Sequence, residues 1–110
     1  MAYVAKHKYA PMSASKVRLV IDLVRGKFAN EALAILRFQP KRAARFIEKV
    51  LKSAVANAEF AGARGNFLIT KAWADEADMF RRFRPRAKGR MVPIIHRLCH
   101  IGVEVVPFGR

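Results

Sequence analysis

Apolar side chains recur at three- and four-residue steps through Ala43, Phe46, Ile47, Val50, Leu51, Ala54, Val55 and Ala58. Lys41, Arg42, Arg45, Lys49 and Lys52 crowd the opposite side. This spacing predicts an amphipathic helix, the strongest helical signal in the chain. Pro40 suits its first turn, and Gly62 and Gly65 end it. At ~1.5 Å per residue its twenty-odd residues span ~30 Å, enough to cross a small domain. The many alanines on its apolar stripe permit close approach to a neighbouring sheet or helix.

Two shorter helices precede it. Val17, Val20, Ile21 and Val24 form a buried stripe at helical spacing, with Lys16, Arg18 and Arg25 around its edges. Ser13 or Ser15 can cap this helix by accepting from an orphan backbone N–H, and Gly26 is a natural stop. Asn30 can cap a second helix with Leu33, Ile35 and Leu36 inward. It ends before Gln39-Pro40, because the residue before proline avoids helical angles.

Three stretches alternate as strands do. Tyr3, Ala5, His7 and Tyr9 take one side of the first, and Val4, Lys6 and Lys8 the other. Its lysines suit an edge strand, where charge discourages edge-to-edge pairing. In the second, Phe67, Ile69 and Trp73 share a face, with Asp75 on Trp73's side. In the third, which resumes at Ile94, Cys99, Ile101, Val103 and Val105 point inward and His100, Glu104 and Val106 outward. The last two runs flank residues 77–97 almost symmetrically, and antiparallel pairing is the simplest closure.

Charge changes the picture of what lies between them. The chain has 110 residues and 53% apolar content, which suits one domain spanning residues 1–110. Yet 22 Lys and Arg against 8 Asp and Glu give a net charge of +14. That charge opposes compaction unless a polyanion lies against it. Nucleic acid is the first candidate, an anionic membrane the second and acidic proteins a distant third. The charge peaks at Arg81-Arg82-Phe83-Arg84-Pro85-Arg86-Ala87-Lys88-Gly89-Arg90, where Pro85 and Gly89 bracket a bend. Guanidinium forks phosphate bidentately and stacks on bases, so this stretch reads as a basic β-hairpin arm, ~30 Å long at ~3.3 Å per residue. Phe80 is expected to pack the ribbon against itself; Phe83 can do this or stack on bases. Pro93 removes a backbone donor and fits a ribbon position better than a central strand. The basic helix faces, with Lys16, Arg18, Arg25, Lys27, Lys41, Arg42 and Arg45, add phosphate contacts that position the protein without reading sequence.

Little here points to catalysis. His96, Cys99 and His100 lack a second ligand pair for zinc, and on one strand Cys99 would point away from both histidines. Cys99 belongs in the core, and His100 against phosphate or a backbone carbonyl. Asp75, Glu76 and Asp78 read as counter-charges to nearby arginines rather than a magnesium site. There is no phosphate-binding loop, nucleophile elbow, CxxC pair or His-Glu-x-x-His. A single cysteine excludes an intrachain disulfide and fits a reducing, intracellular setting. No apolar run is long enough to span a bilayer, and the N-terminus has no basic-then-apolar signal pattern.

Four stretches together resemble a known family. They are Ser13-Ala14-Ser15-Lys16-Val17-Arg18-Leu19-Val20 with Asp22-Leu23-Val24-Arg25-Gly26-Lys27; Leu51-Lys52-Ser53-Ala54-Val55-Ala56-Asn57-Ala58-Glu59; Pro85-Arg86-Ala87-Lys88-Gly89-Arg90; and His100-Ile101 at the family's spacing from that proline. In order and with lengths kept, they resemble the large-subunit ribosomal protein twenty-two family in its bacterial form. Arg84, Met91-Val92-Pro93 and Leu98-Cys99 depart from the family's pattern. The resemblance implies an α+β fold, three helices packed on a three-stranded antiparallel sheet, with a long protruding basic β-hairpin of residues 77–97.

It further implies a non-enzymatic, cytoplasmic constituent of the large ribosomal subunit, with no cofactor or metal. Its partners would be large-subunit ribosomal RNA, neighbouring ribosomal proteins and the nascent polypeptide, with no membrane and no homo-oligomer. Lys16, Arg18, Arg25, Lys27, Arg81, Arg82, Arg84, Arg86, Lys88, Arg90, Arg97 and His100 would contact the RNA. Arg86, Ala87, Lys88, Gly89 and Arg90 would line the nascent-peptide exit tunnel. The competing reading of the same charge is a DNA-bending architectural protein, a dimer whose ribbons wedge a minor groove. A cationic peripheral membrane protein is third, because the helices lack an exposed bulky apolar face.

Overall fold

The computed structural model describes residues 2–77, 80–85 and 91–108, with the side chains of 80–85 and 91–96 outside the description. The elements in order are β1 (Tyr3–Ala10), α1 (Ala14–Ile21), α2 (Ala29–Phe38), α3 (Arg42–Phe60), β2 (Asn66–Glu76), β3 (Phe80–Pro85), β4 (Met91–His96) and β5 (Cys99–Phe108). β1, β5 and β2 form a three-stranded antiparallel sheet in that order, and β3 pairs with β4 in a separate two-stranded sheet. The expected α+β fold of three helices on a three-stranded sheet is therefore present.

One face of the sheet is the core. Ala5 of β1, Phe67, Ile69, Ala72 and Ala74 of β2, and Cys99, Ile101, Val103 and Val105 of β5 are buried there. They meet Val17, Val20 and Ile21 of α1, Leu36 of α2, and Ile47, Val50 and Leu51 of α3. Each such aliphatic side chain, fully buried, stabilises the fold by ~1.5–3 kcal/mol. α3 lies across β1 and β5, and its buried Ala43, Ala44, Ala54 and Ala58 set the close approach. The Asn57 side-chain amide then reaches the Val4 carbonyl of β1 at 3.3 Å.

Several local expectations need correction. α2 starts at Ala29 with Phe28 as its N-cap, two residues ahead of Asn30. Pro40 precedes α3 rather than joining its first turn, because Lys41 is the N-cap. Ser13 does occupy the N-cap of α1, but its hydroxyl lies 3.4 Å from that of Ser15 instead of capping a backbone N–H. α1 ends at Ile21, yet Val24 is still buried. The backbone bonds Leu23 N to Val20 O and Val24 N to Ile21 O keep the chain winding in tighter turns. Gly26, at φ +80°, then turns the chain so that its N–H reaches the Ile69 carbonyl at 3.2 Å.

Both outer strands carry an extra residue that breaks simple alternation. In β2 the register moves from Ile69↔Val105 to Lys71↔Glu104, leaving Thr70 without an opposite number. Phe67 and Ile69 face the core, but so do Ala72 and Ala74. Trp73 thus lies on the other face, not beside Phe67 and Ile69 as strict alternation requires. In β1 the register slips between His7 and Ala10, and Tyr9 sits at φ 59°. Ala10 takes the inward place, and Tyr9 is half exposed.

The chain from residue 94 to 108 is not one strand. β4 ends at His96, Arg97 and Leu98 interrupt, and β5 begins at Cys99. At the junction the Ala77 N–H donates to the Leu98 carbonyl at 3.0 Å. The β3–β4 register runs without a break from Phe80↔His96 through Phe83↔Pro93 to Pro85↔Met91. Pro93 is accommodated because a two-stranded ribbon leaves each strand one unpaired side. The expectations for residues 86–90, and for the side chains of Phe80, Arg81, Arg82, Phe83 and Arg84, lie outside the described residues.

Candidate nucleic-acid interface

A cleft opens where α1 begins, beside the base of the β3–β4 ribbon. It is lined by Pro11, Met12, Ser13, Ser15, Lys16, Arg42, Arg97 and Leu98 and has a volume of about 780 Å³. Lys16 is in the first turn of α1, Arg42 opens α3, and Arg97 lies between β4 and β5. Three separate parts of the chain thus bring cations to one opening. The first turn of α1 holds no acidic residue and no side-chain cap, so its orphan N–H groups add positive potential there. Arg42 also sits over the Phe46 ring at 5.4 Å, which holds it against α3.

Two of the arginines expected at RNA have another partner in the body. Arg18 donates from Nε and a terminal nitrogen to the Ala74 carbonyl at 3.1 and 2.8 Å. Arg25 donates to the Ala72 carbonyl at 2.8 Å and to Asp22 at 2.7 Å. Phe28 bridges to Leu68, and Ile69 exchanges bonds with Gly26 and Lys27. The segment from Arg18 to Phe28 therefore runs along the edge of β2 that β5 does not use. Arg45, also read as a phosphate contact, donates to the Leu36, Arg37 and Gln39 carbonyls and caps α2. Its position one turn into α3 is what brings it under the end of α2.

The other expected residues are placed differently. Lys16, Lys27 and Arg97 are exposed, with no ion pair among the described residues. His100 lies on the open face of the sheet, and its Nδ1 accepts from the Tyr9 N–H at 3.1 Å. The Tyr9 ring meets it edge-on at 4.7 Å between centroids. Within the body its partner is a backbone N–H rather than a carbonyl, because the slipped register of β1 frees the Tyr9 N–H. Cys99 is fully buried in the core, as expected. Burial pushes its thiol pKa up, and the nearby Arg18 charge opposes that shift.

Sequence reasoning placed Arg42 only within a general basic face. Its position beside Lys16 and Arg97 depends on how α3 packs across the sheet, which no local signal gives. Among the described residues no three His, Cys, Asp or Glu side chains gather as a metal site. No helix there is long and apolar enough to cross a membrane.

A small α+β body with cations gathered from three parts of the chain, and an antiparallel ribbon leaving its sheet, is a protein built to lie against a polyanion. Residues 5–106 match the family described as Ribosomal protein L22p/L17e. The chain belongs to that family. It is similar to the Large ribosomal subunit protein uL22 of Finegoldia magna, 47% identical over 100 residues, covering 89% of each chain. It is 50% identical over 103 residues to the protein of the same name from Pediococcus pentosaceus, covering 92% of this chain and 87% of that one. The Latilactobacillus sakei protein of that name is 53% identical over 96 residues, covering 86% and 82%.

Proposed function

We propose that this chain is a structural constituent of the large ribosomal subunit in the cytoplasm, holding ribosomal RNA by charge and shape. It acts by binding rather than by catalysis. The near-full-length match to the family carries this reading, and the cleft of Lys16, Arg42 and Arg97 supports it. The cleft can take a phosphate of the RNA backbone, with Lys27 adding a further contact. Arg18 and Arg25, exposed on that surface while bonded to β2 carbonyls, keep further guanidinium donors for phosphate. Residues 1–110 act as one domain and one copy, with residues 77–97 as an arm that runs into the RNA. Arg81, Arg82, Arg84, Arg86, Lys88 and Arg90 neutralise phosphates along the arm. Residues 86–90 line the nascent-peptide tunnel, and neighbouring ribosomal proteins touch the body.

Recognition is chiefly of RNA shape, because A-form duplex hides its major groove. A sucrose gradient of cell extract at moderate salt tests the reading. The chain is expected to sediment with large subunits and to leave that fraction after RNase treatment. A soluble dimer that bends DNA would overturn it.

A further inference from the structure

We propose that the open face of the three-stranded sheet seats one unpaired nucleotide, guanine by preference, with its base stacked on Trp73. The proposal rests on the RNA-binding reading above and adds a site to it. The core residues of α1, α2 and α3 all pack on the opposite face. On the open face the strand register sets three rows. Val4, Glu104 and Lys71 form one, and Lys6, Gly102 and Trp73 the next. The third pairs His100 with Asp75, with Lys8 and Tyr9 at the β1 end.

Gly102 is the centre of this grid, and the indole of Trp73 covers it. A Cβ at Gly102 would lie 2.3 Å from Cε2 and Cζ2 of the indole and 2.8 Å from Nε1. The missing side chain lets a large ring rest on the central strand while remaining only partly buried. An aromatic ring laid on an open sheet between lysines is the arrangement single-stranded RNA uses for base stacking. Lys6, Lys8, Trp73, Asp75 and His100 line a shallow pocket of about 120 Å³ beside it. The two lysines suit the nucleotide's phosphates.

Asp75 selects the base. As a carboxylate it only accepts, and it makes no ion pair among the described residues. The guanine Watson–Crick edge offers two adjacent donors, N1–H and the N2 amino group, that match two carboxylate oxygens. Uracil sets its one donor between two acceptors, which the carboxylate repels. Adenine and cytosine each present one amino group beside an acceptor. Because the His100 Nδ1 accepts from Tyr9, a neutral His100 carries its proton on Nε2 and can donate to guanine O6.

Trp73 is the only tryptophan, so its emission reports this site alone. The test titrates the full chain with uridine hexamers carrying one central guanosine, adenosine or cytidine, with all-uridine hexamer, and with the guanosine strand in a duplex. Labelled-RNA anisotropy is followed in parallel. The guanosine strand is expected to quench Trp73 and bind at least about fivefold more tightly than the all-uridine strand. The duplex leaves emission unchanged. Asp75→Asn removes most of the guanosine preference but not the quenching, and Lys6→Gln with Lys8→Gln weakens binding of every strand. RNA binding by anisotropy with unchanged Trp73 emission overturns the seat and leaves the general function standing. Equal quenching by all strands overturns the guanine preference. No binding by either readout overturns the RNA-binding reading itself.

Discussion

Two donors of Arg18 converge on the single carbonyl oxygen of Ala74, at 3.1 and 2.8 Å. β2 is an outer strand, so this carbonyl has no neighbour strand to bond it. An arginine that the sequence offers as a phosphate contact thus completes the edge of the sheet. Arg18→Ala should lower the unfolding free energy by about 1–3 kcal/mol, because it leaves a part-buried acceptor unsatisfied. Lys16→Ala, on an exposed neighbour, should change it by less than about 0.5 kcal/mol. Urea unfolding of the two variants checks the contrast.

The cleft at the start of α1 should govern how RNA affinity responds to salt. Each cation that displaces a counterion from single-stranded RNA contributes about 0.7 to the slope of log affinity against log salt. Replacing Lys16, Arg42 and Arg97 together by glutamine should reduce that slope by about 2. An unchanged slope in filter-binding titrations would place the phosphate contacts elsewhere.

Filling the centre of the open sheet face should displace Trp73. Gly102→Val puts carbon atoms where the indole now rests, 2.3 Å from it at the Cβ. The expected outcome is a red-shifted Trp73 emission and a stability loss of about 1–3 kcal/mol. An unshifted spectrum would mean the indole does not rest there.

Among the described side chains, those buried in the core come from residues 5–74 and 99–105. Deleting residues 82–90 should therefore leave a body that unfolds cooperatively, with the ribbon shortened. Its RNA affinity should fall steeply, since the arm's arginines go with it. Circular dichroism on urea titration, beside RNA binding, separates the two effects.

Cys99 gives a pH signature. Its pKa is higher in the folded chain than in the unfolded one, because burial disfavours the thiolate. The neutral thiol is common to both states below about pH 8.5, so it adds no pH slope there. As pH rises further, the unfolded thiol loses its proton first and stability falls. The stability difference between the native chain and Cys99→Ala should therefore be flat at neutral pH and shrink in alkali. A difference independent of pH would place Cys99 in contact with water.

The helices were legible because their signal is local. The stripe through Ile47, Val50, Leu51 and Ala54 needs only a period, and all four are buried. The pairing of β2 with β5 was legible from alternation on both sides of the arm. What alternation could not give was Trp73's face, because Thr70 adds one residue to the strand without a mark in composition. The fates of Arg18, Arg25 and Arg45 were equally hidden. A charge on a helix edge reads alike whether or not its fork also meets a carbonyl of the body, and that contact depends on the packing of α1 on β2 and of α2 on α3. Arg42 was lost among the general basic charge of its helix for the same reason.

Thr70 also insulates one part of the chain from another. Leave it out, and Ile69 followed by Lys71, Ala72 and Trp73 alternates inward and outward as before. The strand therefore carries the same two faces at either length, and a one-residue insertion or deletion there is taken up on the spot. Beyond it the frame from Lys71↔Glu104 to Glu76↔Cys99 is fixed by β5 rather than by counting from the start of the strand. The ribbon leaves the sheet from that frame, so its point of departure is indifferent to length changes upstream.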